Sequence, residues 1–202
     1  MQINIQRAKE LAFDALRKQS ADQLLWLGAE PTGSLWRLPV LNGAFLIDLP
    51  GRSVATSGGE PVRPAWAILA LHYLAVDGRP GDFRPTVTFA DLPTARSYAS
   101  VYNQRTTGRL CATVGRSLQS LQEAAAALGA EPAVCDQGSC SAAYVFRVFP
   151  RVSVQLIYHA PDDEFPPSAT LLLPENIESF FCSEDVVVLS ECLVSRLCGR
   201  PF

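Results

Sequence analysis

Apolar residues recur every three or four positions at the start of the chain. Ile5, Ala8, Ala12 and Leu16, with Leu11 and Ala15 beside them, predict an amphipathic helix over residues 4–19. Ser20 followed by Gln23 has the spacing of a capping box, and it leads into Leu24, Leu25, Trp26 and Leu27 before Gly28, which predicts a second, short helix. The period then drops to two. SLWRLPVL (34–41) and AFLIDL (44–49) flank Asn42-Gly43, a strong two-residue hairpin signal, and residues 53–57 extend the pair into a meander. PAWAILALHYLAV (64–76) is apolar on nearly every side, so it predicts a buried helix that stops at Asp77-Gly78. The stretch between them, GGEPVRP (58–64), reads as a flexible joint.

The second half repeats the alternation. Residues 86–89 predict a short strand, and helical patterning runs from Thr94 to Gly115 with an interruption near Thr107-Gly108. Ser117 precedes Leu118, Leu121, Ala125 and Leu128, and Gly129 and Pro132 close that helix. Residues 144–158, broken at Pro150, and 169–173 form a second strand group. Ser183, Glu184, Asp185 and Arg196 frame a last helix, with acidic residues in its first turn and a basic one in its last. Two period-two regions with helices among them predict an α+β fold: mainly antiparallel strands, in two hairpin groups, packed against helices in a single compact domain over residues 1–202.

Composition narrows the classes of function. The chain is 48% hydrophobic and 18% charged, richer in apolar residues than an average soluble domain, which implies a well-buried core or a homo-oligomeric interface. Its net charge is −3 and its basic residues are scattered singly, so no basic stripe exists to follow a phosphate backbone and nucleic acid is not an expected partner. No apolar run reaches the roughly 18 to 20 residues that span a bilayer, and the charged, amphipathic N-terminus is not signal-like. No membrane partner is expected, and the cytoplasm is the expected compartment. Cys111, Cys135, Cys140, Cys182, Cys192 and Cys198 are dispersed, unlike the framework of a small secreted scaffold, so most are expected as reduced thiols. For Cys135 and Cys140, which flank Gly138, a reversible disulfide stays open.

Several stretches carry a resemblance. Leu71-His72-Tyr73-Leu74, the TFADL stretch ahead of Tyr98, Leu128-Gly129, and above all FPRVSVQLIYHAPDDEFPPSATLLL (149–173) together resemble the domain-of-unknown-function family thirty-seven eighty-six of bacteria and archaea. The resemblance covers nearly the whole chain, to about Cys198, and the acidic loop through Phe165 is its most specific part. It implies an α+β domain. It implies no activity, cofactor or catalytic residues. Some relatives carry a cysteine-rich iron–sulfur segment ahead of the domain, but the first cysteine here is Cys111, so no redox role carries over.

Candidate chemistry centres on two histidines and one loop. Asp162, Asp163 and Glu164 stand in succession between Pro161 and Pro166-Pro167, where oxygen ligands for a hard cation, hydrogen-bonded carboxylates or a solvated turn are all readable. Arg147 or Arg151 is a candidate partner for these carboxylates. His159 borders the loop, and imidazole beside carboxylates is the raw material of a metal site or an acid–base pair. His159, Asp163 and Glu164 are the weak metal candidates, and no metal or cofactor is assigned. His72 and Tyr73 lie within the apolar helix, with a core hydrogen bond as the plainer reading of His72. The cysteine spacings match neither zinc ribbons nor thioredoxin-like sites. No Gly-x-Ser-x-Gly elbow or phosphate loop is present. The expectation is a non-enzymatic accessory domain binding a small molecule or a protein partner, in a pocket between sheet and helix around His72. The alternatives are an enzyme using His72, His159, Asp163 and Glu164, and a structural homo-oligomeric subunit.

Overall fold

A computed structural model describes residues 2–81, 85–93, 95, 98–135 and 140–202. The chain opens with α1 (Gln2–Leu16) and α2 (Ala21–Trp26). The Ser20 hydroxyl accepts from the Gln23 amide at 3.1 Å, one half of the expected capping box. The Gln23 side chain does not return to Ser20. Its amide instead donates to the carbonyls of Val76 and Gly78, while Gln19 donates to those of Leu74 and Val76. Both glutamines thus satisfy carbonyls that the end of α3 (Pro64–Leu74) leaves without helical partners. Pro64 opens α3 at a position where its missing N–H costs nothing. Trp66, Ala67, Leu69, Ala70, Leu71, Tyr73 and Leu74 are all buried, as the all-round apolar pattern predicts.

Four antiparallel strands, β1 (Glu30–Thr32), β2 (Leu35–Val40), β3 (Gly43–Asp48) and β4 (Ser53–Thr56), lie in sequence order as the first sheet. The hairpin signal at residues 42–43 shifts by one. Val40 pairs with Gly43, so Leu41 and Asn42 make the turn, and Leu41 takes the left-handed conformation with φ 50°. Two contacts fix this register. The Asn42 side chain donates to the Ala127 carbonyl at 2.6 Å, and a Cβ at residue 43 would stand 3.2 Å from the Phe202 ring. The joint expected at 58–64 is instead a bonded turn: the Thr56 and Gly59 amides donate to Glu60 and Thr56 carbonyls, and the Thr56 hydroxyl accepts from the Glu60 amide. A polar, glycine-rich composition is compatible with a tight turn when the backbone closes on itself.

The second sheet has strand order β5-β9-β8-β7-β6, all antiparallel, from β5 (Thr86–Thr88), β6 (Glu131–Pro132), β7 (Ala142–Phe149), β8 (Val152–His159) and β9 (Ser168–Pro174). Alternation along β8 buries Val152, Val154, Leu156 and Tyr158 on one face. The two sheets meet where the Leu41 amide donates to the Val148 carbonyl at 3.3 Å.

Between β5 and β6 the helical patterning resolves into α4 (Ala99–Asn103), a π turn over Gln104–Gly108, and α5 (Arg109–Ala112), a 3₁₀ turn following at Val114–Arg116. Residues 94, 96 and 97, at the start of the expected stretch, lie outside the described residues. The interruption near Thr107-Gly108 is therefore a widening of the helix and not a break. In that widened turn the hydroxyls of Thr106 and Thr107 donate to the carbonyls of Tyr102 and Asn103, four residues back. Next come α6 (Leu118–Ala127), capped by Ser117, and α7 (Ser183–Leu197). The cap residue of α7 is Cys182, one position before the expected Ser183. Cys135 and Cys140 form a disulfide with Cα atoms 5.6 Å apart, and Cys111, Cys182, Cys192 and Cys198 are free thiols.

Candidate functional site

The acidic loop joins β8 to β9, and its first carboxylate is occupied within it. Asp162 Oδ1 accepts from the backbone amides of Glu164 at 2.9 Å and Phe165 at 2.7 Å, and the Asp162 amide donates to the Phe165 carbonyl. Asp163 and Glu164 are exposed, and among the described residues their side chains make no hydrogen bond or ion pair. Neither candidate arginine reaches this loop by topology. Arg147 lies on β7 opposite Ser153 and Arg151 in the β7–β8 turn, and the rise along β8 places about 20 Å or more between them and the acidic loop. Arg151 instead donates to the Trp26 carbonyl at 2.7 Å and lies 4.3 Å from the Trp26 ring.

The same geometry separates the histidines. His159 is exposed at the acidic end of β8, opposite Ser168. Tyr73, next to His72, belongs to the other end: its hydroxyl accepts from the Arg151 amide and donates to the Leu27 carbonyl, and its ring stacks on Phe149 at 4.7 Å. Among the described residues no group of three or more histidine, cysteine or acidic side chains gathers at metal-binding spacing.

His72 finds its partner on α7. Its Nδ1 lies 2.8 Å from Asp185 Oδ2, and this hydrogen bond raises the imidazole pKa above its ordinary value against the opposing effect of burial. A carboxylate on Nδ1 fixes the tautomer and leaves Nε2 as the basic nitrogen, which is half of a hydrolytic dyad. The other half is not assembled. Among the described residues the His72 side chain bonds Asp185 alone, and partial burial pushes the nearby Cys182 thiol up, although helix N-termini ordinarily lower thiols.

An apolar groove lies against a neighbouring face of α7. Phe89, Ala95, Tyr98, Arg105, Ser183, Glu184, Val187 and Val188 enclose a cavity of about 330 Å³. Glu184, Val187, Val188 and Glu191 recur at the three- and four-residue spacing that shares a helix face. The opposite wall is positioned by the π turn, which carries Arg105. Its guanidinium is held on two sides: Nη2 donates to Glu191 Oε2 at 3.1 Å with Nε in ion-pair contact with Oε1 at 2.5 Å, and Nη1 donates to the Tyr98 hydroxyl at 2.8 Å. Tyr98, then Glu191, stabilise the charged form. Beneath it, the Tyr102 hydroxyl donates to Ser190 at 2.9 Å and Ser190 donates to the Val186 carbonyl, so a buried polar chain pins the widened helix to α7. The Tyr102 ring stacks on Phe89 at 4.1 Å, and burial pushes its phenol up to about 12. From sequence, Phe89, Tyr98, Ser183 and Glu184 figure only in elements or in the family resemblance, and none of the groove residues is a site candidate. The interruption near Thr107-Gly108 was the one visible sign of it.

Two antiparallel sheets packed with helices, and a groove between a π-bulged helix and the last helix, define an α+β domain. The chain belongs to the family described as Domain of unknown function (DUF3786), whose model matches residues 21–196. Neither the curated proteins nor the solved structures gave a match.

Proposed function

We propose that this domain is a non-enzymatic binding module that takes a small, largely apolar ligand in the groove between the π turn and α7. One observation carries the reading: a cavity of about 330 Å³ with mainly apolar walls and, among the described residues, one arginine held in place falls within the range of small-ligand sites, roughly 300 to 1,000 Å³. The proposal rests on Phe89, Tyr98, Arg105, Val187 and Val188. It draws on none of His72, Tyr73, His159, Asp162, Asp163 or Glu164.

Ligand-observed NMR with a panel of aromatic and branched aliphatic fragments tests it. Val188 is only partly buried, so Val188→Trp fills the groove at its lip and leaves the core intact. Fragments that bind the wild type are expected to lose binding to this variant at unchanged melting temperature. A panel without a wild-type binder, or binders indifferent to Val188→Trp, overturns the proposal.

A further inference from the structure

The polar valences left over in the groove say which apolar molecules suit it. A guanidinium offers five N–H donors. Tyr98 and Glu191 each accept one of those of Arg105, and the second Glu191 oxygen stands against Nε as an ion pair. One further N–H on each Nη has no partner among the described residues. The Tyr98 hydroxyl accepts from Arg105 and keeps its own proton to donate. The spare valences of Arg105 and Tyr98 are donors, and a guanidinium presents its donors in a planar fork that suits a carboxylate.

Among the described residues the groove also holds one competing charge. Glu184 is exposed at the rim, and among the described residues its carboxylate bonds nothing. A cationic ligand would have to order that free side chain and accept repulsion from Arg105. A carboxylate meets a guanidinium already oriented by two hydrogen bonds and an ion pair, so it loses less entropy on pairing. Orientation therefore decides between the two charges in favour of the arginine. We infer that the ligand is an organic acid of modest size, an aromatic or branched apolar body bearing one carboxylate, with its head on the outer edge of Arg105 and its body against Phe89, Val187 and Val188. This inference rests on the groove reading above.

Three probes of one size and shape separate the classes: phenylacetate, 2-phenylethanol and phenethylamine, titrated calorimetrically into the wild-type protein. Because hydrogen bonds to a charged group carry about 1.5 to 3 kcal/mol, phenylacetate should bind about tenfold or more tightly than either analogue. Arg105→Gln should bring the phenylacetate to phenylethanol ratio to about one while phenylethanol affinity holds. Tyr98→Phe, which keeps the ring and the fold, should reduce the same ratio by a smaller factor. If phenylethanol or phenethylamine binds as tightly as phenylacetate, or if the ratio survives Arg105→Gln, the carboxylate inference fails and the groove reading stands. If none of the three binds the wild type, both fail.

Discussion

Ser190 is fully buried, and it is useful because its two neighbours in the chain of hydroxyls are not equivalent. Tyr102→Phe removes a donor and leaves Ser190 bonded to the Val186 carbonyl, so it should cost about 1 kcal/mol. Ser190→Ala strands the Tyr102 hydroxyl in an apolar interior and should cost more, about 1 to 3 kcal/mol, with the double variant recovering part of the loss. Urea unfolding of the three variants checks the order, and a costlier Tyr102→Phe would contradict the direction of the chain. His72 gives a pH-dependent counterpart. Its folded pKa is raised above 6.5 by the bond to Asp185, so its contribution to stability is fully present below that value and lost as pH rises through the folded pKa. His72→Gln should therefore lower the melting temperature most under mildly acidic conditions, with the gap to wild type closing in mildly alkaline buffer. A gap that widens with pH would mean that the pair does not stabilise the protonated ring.

Among elements, the acidic loop offers the sharpest division of labour. Asp162 bonds two amides of its own turn, so Asp162→Ala should cost about 1 kcal/mol, whereas alanine at Asp163 and Glu164 should stay within about 0.5 kcal/mol. Melting curves of the single variants, with and without magnesium or calcium, test both halves. A shift with either ion that disappears in the Asp163/Glu164 double variant would return the loop to metal chemistry. The hairpin around this loop was legible in sequence because period-two alternation and proline punctuation are local signals. The helices over 64–74 and 183–197 were legible for the same reason at a period of 3.6. What stayed hidden depends on contacts distant along the chain. β1 contains Glu30 and Pro31, poor strand formers, and exists because β2 presents an open edge. Leu41 is left-handed because Asn42 is held by Ala127 and Gly43 by Phe202, far along the sequence. The groove needs Arg105 and Glu191 to meet across 86 residues, and no spacing rule announces that.

Across the whole molecule, close approaches tie the two sheets and the opening helices together. Gly28, at φ 82°, follows α2, and a Cβ there would lie 2.5 Å from the Pro150 ring at the β7–β8 turn. Gly28→Ala combines a left-handed backbone with a clash and should destabilise by at least about 1 kcal/mol, read from the urea midpoint. An unchanged midpoint would show that the two units are not packed here. Thiol titration of denatured protein should find four reactive groups before reduction and six after it, since Cys135 and Cys140 are paired. The strand order has a kinetic side. β7, β8 and β9 follow one another through short turns, so their pairing closes small loops, whereas Thr86 at the far edge must find Pro174 across a much longer loop. β8 is bonded on both sides and β5 on one, by three residue pairs. Amide hydrogens of β8 are therefore expected to exchange with deuterium only through global opening, while those of β5 leave through local fraying long before it. Phe89, the residue that follows β5, is both a wall of the groove and the stacking partner of Tyr102. A molecule that settles against Phe89 would then slow the exchange of an edge strand it does not touch.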